Sequence, residues 1–205
     1  ALGPSTWNSV LASGLAAAVT VAAALPVAIL AVRRPGPLTR RLERLTYSAF
    51  ALPGIVIALA LVFFGANHAP WLYQSLPMLI LAYGILFIPQ AVGALRSALL
   101  QIHPSLEEAA RTLGRRPAQV FLAITLPLLR PGLVAGASLV FLTAMKELPA
   151  TLILAPIGFK TLATSVWSAV SEAFFAQAAA PALLIVLMSS LPMTFFMLRE
   201  QRVDG

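Results

Sequence analysis

The sequence predicts an all-α membrane protein, a polytopic helical bundle with five core spans, in a single domain covering residues 1–205. Three observations predict it. Apolar residues fill 60% of the 205 positions and charged ones only 10%, against about 25% charged in an ordinary soluble domain. The mean hydropathy is +0.90. The apolar residues gather in long runs; about 20 residues carry a helix across the hydrocarbon, whereas a membrane barrel would show short alternating segments.

Five runs qualify. The first covers about Asn8 to Val32 and is rich in Ala and Val. The second covers about Leu45 to Phe64 and the third Leu76 to Leu95. The fourth starts near Pro131 and reaches at least Met145; the fifth covers about Ala178 to Leu198.

Charge orients them. Arg33, Arg34, Arg40, Arg41 and Arg44 crowd an expected loop, Arg33 to Arg44, after the first run, and Arg96, Arg111, Arg115, Arg116 and Arg130 the segment after the third. Arg199 and Arg202 follow the fifth, whereas residues Gly65 to Ser75 hold neither Lys nor Arg. Arginine marks the cytoplasmic side, so five spans put the N-terminus outside and the C-terminus in the cytoplasm. A net charge of +7 and a pI near 11.1 would suggest nucleic acid in a soluble protein. Here the basic residues sit between spans, so the expected partner is membrane lipid and not nucleic acid. Cysteine is absent, which excludes disulfides and thiolate metal sites. The chain opens Ala1-Leu2-Gly3-Pro4 without Met or a signal-peptide pattern, so an excerpt of a longer polypeptide is expected.

The stretch between the third and fourth runs carries most information. Ser105-Leu106-Glu107-Glu108 reads as a capping box, with the Ser105 hydroxyl accepting the Glu108 N–H and the Glu108 carboxylate accepting the Ser105 N–H. A helix is then expected over Leu106–Leu113, ended by Gly114 in the left-handed conformation. Pro117 suits the first turn of a second short helix, which is expected to stop near Pro127. Ala109 and Ala110 give the first helix a surface that another protein can approach closely.

Glu108-Ala109-Ala110, then Gly114, Ile124 and Leu126-Pro127 at their spacings, resemble the full signature of binding-protein-dependent ABC importer permeases, the MetI-like transmembrane domain. The resemblance covers essentially the whole chain. It implies an inner-membrane permease whose coupling loop, carried by those residues, docks on a cytoplasmic ABC ATPase dimer. It further implies a second permease half, fused or separate, and a periplasmic substrate-binding protein. No phosphate loop of the form Gly-x-x-x-x-Gly-Lys-Ser/Thr occurs in the sequence, so ATP hydrolysis is expected from another subunit.

Lys146, Glu147 and Pro149 fall where the fourth span should continue. Charges at membrane depth face a bundle interior or a water-filled path, and Pro149 should break the helix beside them. These three residues are therefore the candidate lining of the translocation path; the alternative puts Lys146 and Glu147 at the outer interface. Lys146 to Leu152, Gly158-Phe159 and Thr161-Leu162-Ala163 resemble the C-terminal half of ferric-iron importer permeases. Ala155 and Lys160 depart from that pattern, and related permeases carry polyamines, thiamine, phosphonates or sulfate.

No cofactor, metal site or catalytic set is expected. Glu147 and Glu172 are the membrane-proximal acids, and His68 and His103 stand alone. A secondary transporter would call for paired intramembrane charges in two halves, and an integral membrane enzyme for convergent catalytic residues.

Overall fold

Proline and small residues shape the bundle. In the computed structural model, which describes residues 2–200 and the side chains through Ser190, the described residues fold into helices and no strand. In chain order these are α1 (Leu2–Arg33), α2 (Pro37–Ser48), a 3-10 turn (Ala49–Ala51), α3 (Gly54–His68), α4 (Leu76–Gln101) and α5 (Pro104–Thr112). Then come α6 (Pro117–Val120), a π-helical turn (Phe121–Thr125), α7 (Leu126–Met145), α8 (Pro149–Leu154), α9 (Leu162–Ser171) and α10 (Phe175–Glu200).

Helices α1, α4 and α7 pack on one another and form the core. Between apolar helices in lipid there is little hydrophobic drive, so close approach through small residues matters. The buried face of α1 is Ser or Ala throughout, save Thr20 and Val21. On α7 the Cα of Gly132 abuts the Ala98 methyl so closely that an added Cβ would collide with it, and Gly136 faces the Ala91 backbone. Larger residues of α4, among them Met78, Leu79, Tyr83, Leu95 and Leu99, fill the remaining space.

Among the described residues three helical stretches are long and apolar enough to cross a membrane alone: Leu2–Arg33, Leu76–Gln101 and Pro117–Met145. The fifth expected span corresponds to α10; Arg202 lies outside the described residues. The second span departs from expectation. It is not one helix from Leu45 but a pair, Pro37–Ala51 and Gly54–His68, bent by 107°. The cause is local. Pro53 lacks an N–H, and its ring pushes Leu52 into the extended region at φ −98°, ψ 126°. The arginine-rich stretch before it is thus a helix, α2, and not an open loop.

The fourth span also differs. The second short helix does not stop near Pro127. Instead 117–145 is one continuous helical run, widened by the π turn, in which the Leu126 N–H reaches the Phe121 carbonyl five residues back. A wider turn makes room for the Pro127 ring, which in a regular α-helix would clash with the carbonyl four residues earlier. Pro131 then lies inside α7.

Candidate functional site

The loop between α4 and α7 is built from its caps. Helix α5 starts at Pro104, two residues before the expected Leu106, because proline's fixed φ suits the first position and its missing N–H costs nothing there. The N-cap is His103, not Ser105: His103 Nδ1 accepts the Ser105 N–H at 3.3 Å. The expected capping box between Ser105 and Glu108 is therefore replaced, and His103 has a structural task. At the other end Gly114 has φ +82°. Gly114 N–H donates to the Arg111 carbonyl (2.9 Å) and Arg115 N–H to that of Ala110 (3.2 Å), the paired bonds of a Schellman motif. Helix α6 follows at Pro117, with Gln119 Oε1 accepting the Arg116 N–H at 2.9 Å.

The loop displays Glu108 and Ala109 on its exposed side, together with Leu113, which is 84% exposed. Ala110 is buried. Ile124, Leu126 and Pro127 are half-buried along the π turn and the start of α7, and both α6 and the π turn pack against α5. The signature residues thus gather at one end of the bundle, as one helix-turn unit seated on the root of α7.

The residue that seats this unit is Glu107, which sequence reasoning passed over for its neighbour Glu108. Glu107 Oε1 accepts Arg33 Nε at 3.1 Å and the Thr125 hydroxyl at 3.0 Å, and lies 3.0 Å from Arg33 Nη2. Arg33 Nη2 also donates to the Ile102 carbonyl at 3.0 Å. The two side chains are 16% and 9% exposed. Arg111 Nη2 is more distant, 3.8 Å from Glu107 Oε2. The end of α1, the start of α5 and the root of α7 therefore meet on one carboxylate. No local pattern could distinguish Glu107 from Glu108; the partner that does so is 74 positions away.

Lys146, Glu147 and Pro149 lie at the far end of α7, a helix of 20 residues and so roughly 30 Å long. The helix ends at Met145 and restarts as α8 at Pro149, the break expected from that proline. Lys146 is exposed and Glu147 half-buried. Lys146 borders a groove with Trp167 and Val170 of α9 and Ile185 of α10. The Glu147 carboxylate accepts the Ala150 N–H at 3.2 Å and sits against Gly54, where an added Cβ would be 3.1 Å from Oε1 and 3.7 Å from a Leu86 methyl. The Thr151 hydroxyl donates to the Glu147 carbonyl at 2.6 Å. Its single proton is thereby used, so the Tyr83 hydroxyl, 2.5 Å away, donates to Thr151. Leu86 and Tyr83 stand ten and seven residues into α4, about 15 and 10 Å from its first residue, so the break lies well inside the length of the bundle.

A cavity of about 790 Å³ opens between α1, α9 and α10, lined in part by Ser5, Lys160, Ser165, Ser168, Glu172 and Gln177. His68 stacks on Phe64, ring centroids 5.7 Å apart. Among the described residues no three acidic or histidine side chains group as a metal site.

Comparison with known proteins agrees with this geometry. Residues 9–204 match the family described as "Binding-protein-dependent transport system inner membrane component". The chain is 44% identical over 193 residues to the Fe(3+)-transport system permease protein FbpB 2 of Haemophilus influenzae, covering 94% of this chain but 38% of that protein. It is 32% identical over 161 residues to the molybdenum transport system permease protein ModB of Escherichia coli, covering 71% of this chain and 70% of the relative. A putative 2-aminoethylphosphonate transport system permease protein, PhnV of Salmonella paratyphi A, is 27% identical over 197 residues, 94% and 74% of the respective chains. In fold the chain resembles the MetNI methionine ABC transporter in an inward-facing conformation, with TM-score 0.77, 20% identity and coverage of 100% and 96%.

Proposed function

Because the chain belongs to the family of binding-protein-dependent transport system inner membrane components, we propose that it forms one half of the translocation path of an ATP-driven importer. The observation that carries this reading is the α5–α6 unit: an exposed helix with Glu108 and Ala109 outward, locked to the roots of α1 and α7 through Glu107. Such a unit converts a push on the loop into movement of two spans. A separate cytoplasmic ATPase dimer supplies the push, a second permease half completes the path, and a periplasmic binding protein delivers the cargo. The arginine-rich ends, with α2 and α5, face the cytoplasm, and the loop around Asn67 faces outside.

Glu147 and Pro149 line the path on this reading. The helix break frees backbone groups that only protein or water can satisfy, and the carboxylate keeps water or cargo within reach. Ferric iron is the cargo we assign, on the strength of the 44% identical relative. A path needs to bind its cargo weakly enough to release it, so selection belongs to the binding protein. A second reading, an oxyanion such as molybdate or a phosphonate, follows from the relatives at 32% and 27% identity.

The test is uptake by cells dependent on the full-length permease, with labelled ferric iron, molybdate and 2-aminoethylphosphonate supplied in turn. ATP-dependent accumulation of iron alone is expected. Accumulation of molybdate or phosphonate without iron would replace the cargo and keep the role; no accumulation of any cargo by an assembled, ATP-hydrolysing complex would count against the role itself.

A further inference from the structure

We propose that α2 is an interfacial helix that lies in the plane of the membrane and binds the anionic headgroups of phospholipids. The inference rests on the membrane-spanning bundle and on no particular cargo. Its first support is direction. Helix α3 has 15 residues, a rise of about 22 Å, and runs beside α8 in the bundle. The 107° bend before it turns α2 almost at right angles to α3.

The second support is the division of the helix surface. At about 100° per residue, Leu38, Leu42 and Leu45 share one narrow stripe, and Glu43 and Tyr47 share the opposite one. The Glu43 side is the one held by the protein: Glu43 Oε1 lies 3.1 Å from Arg96 Nε of α4, and the Tyr47 hydroxyl approaches Gly93. The leucine stripe therefore points away from the bundle. Leu38 is 69% exposed and Leu45 68%, and no residue of α2 is buried.

Charge supplies the third support and chooses the occupant. Arg41 and Arg44 fill the flank between the two stripes, and Arg40 lies at its edge. All three are exposed, and none has an ion-pair partner among the described residues. Arg34, also exposed, precedes them. A basic flank beside an apolar stripe, on a helix of low overall hydrophobicity, matches the headgroup–acyl boundary of a membrane that carries anionic lipid. There the leucines reach acyl chains and the guanidiniums reach phosphates without leaving water. A protein surface covering the same face would have to desolvate three unpaired guanidiniums, at high cost.

The full-length permease, assembled with its ATPase and reconstituted in vesicles, carries an environment-sensitive fluorophore on Leu42→Cys as its only thiol. Doxyl-labelled phosphatidylglycerol or phosphatidylcholine is added at equal mole fraction. Phosphatidylglycerol should quench the probe several-fold more strongly. The triple variant Arg40→Gln/Arg41→Gln/Arg44→Gln should bring the ratio of the two close to one, as expected if each arginine near the surface favours the anionic lipid by up to about fivefold. Equal quenching by both lipids in the parent, or no quenching by either, overturns the proposal; the latter would mean that protein covers the face. Uptake measured on the same vesicles keeps the two readings apart, since the lipid preference can fail while transport persists, and the reverse.

Discussion

Replacing Glu107 by Ala should loosen the α5–α6 unit and leave the spans folded. The carboxylate accepts two hydrogen bonds, from Arg33 Nε and the Thr125 hydroxyl, pairs with the Arg33 guanidinium, and is 9% exposed. Removing one partner of a buried ion pair costs about 3–5 kcal/mol, because the remaining charge is stranded. Arg33 keeps its bond to the Ile102 carbonyl and is 16% exposed, so the lower end applies, about 3 kcal/mol. That is a shift of about 150-fold in the docking equilibrium of α5. Hydrogen–deuterium exchange of the reconstituted complex reads it directly. Amides of α5 and the Gly114 turn should exchange about 100-fold faster in Glu107→Ala, while those of α4 stay protected. The double variant Arg33→Met/Glu107→Leu removes both charges and should recover most of the protection. Exchange within threefold of the parent, or a double variant no better than the single, would refute the idea that this ion pair seats the loop.

Three further outcomes are expected. Gly114→Ala meets open space, since an added Cβ has no neighbour within 4 Å; its cost is the backbone's alone, about 1–2 kcal/mol for a left-handed L-residue, and uptake should fall while membrane insertion is unchanged. Glu147→Gln should assemble and hydrolyse ATP yet import poorly, and normal import in this variant alongside failure of Lys146→Met would move the path assignment to Lys146. A thiol at the exposed Asn67 should react with an impermeant reagent from outside and one at Pro37 should not; the opposite labelling would invert the orientation and remove the coupling role.

Much of this was legible because it is written in short-range chemistry. A helix-ending glycine, a proline after two charges and runs of apolar residues act within a few positions, and Gly114, the break before Pro149 and the first and third spans followed. What escaped depends on competition or distance. His103 displaced Ser105 as the cap because Pro104 takes the first helical position. Pro127 failed to end its helix because a π turn absorbed the ring. Leu38, Leu42 and Leu45 have helical spacing, but five arginines around them masked α2 as a loop. Glu107 and Glu108 are chemically identical neighbours, and only the folded position of Arg33 separates them.

The central claim is that the α5–α6 unit docks on a cytoplasmic ATPase. A photo-crosslinking residue at Leu113, which is 84% exposed beside Gly114, tests it most directly in the full-length permease purified from cells that express the whole transporter. The account predicts one dominant adduct between the permease and its ATPase subunit, absent when the same residue replaces Trp71 in the opposite loop, itself 82% exposed. An ATPase adduct from Trp71 and none from Leu113 would contradict it.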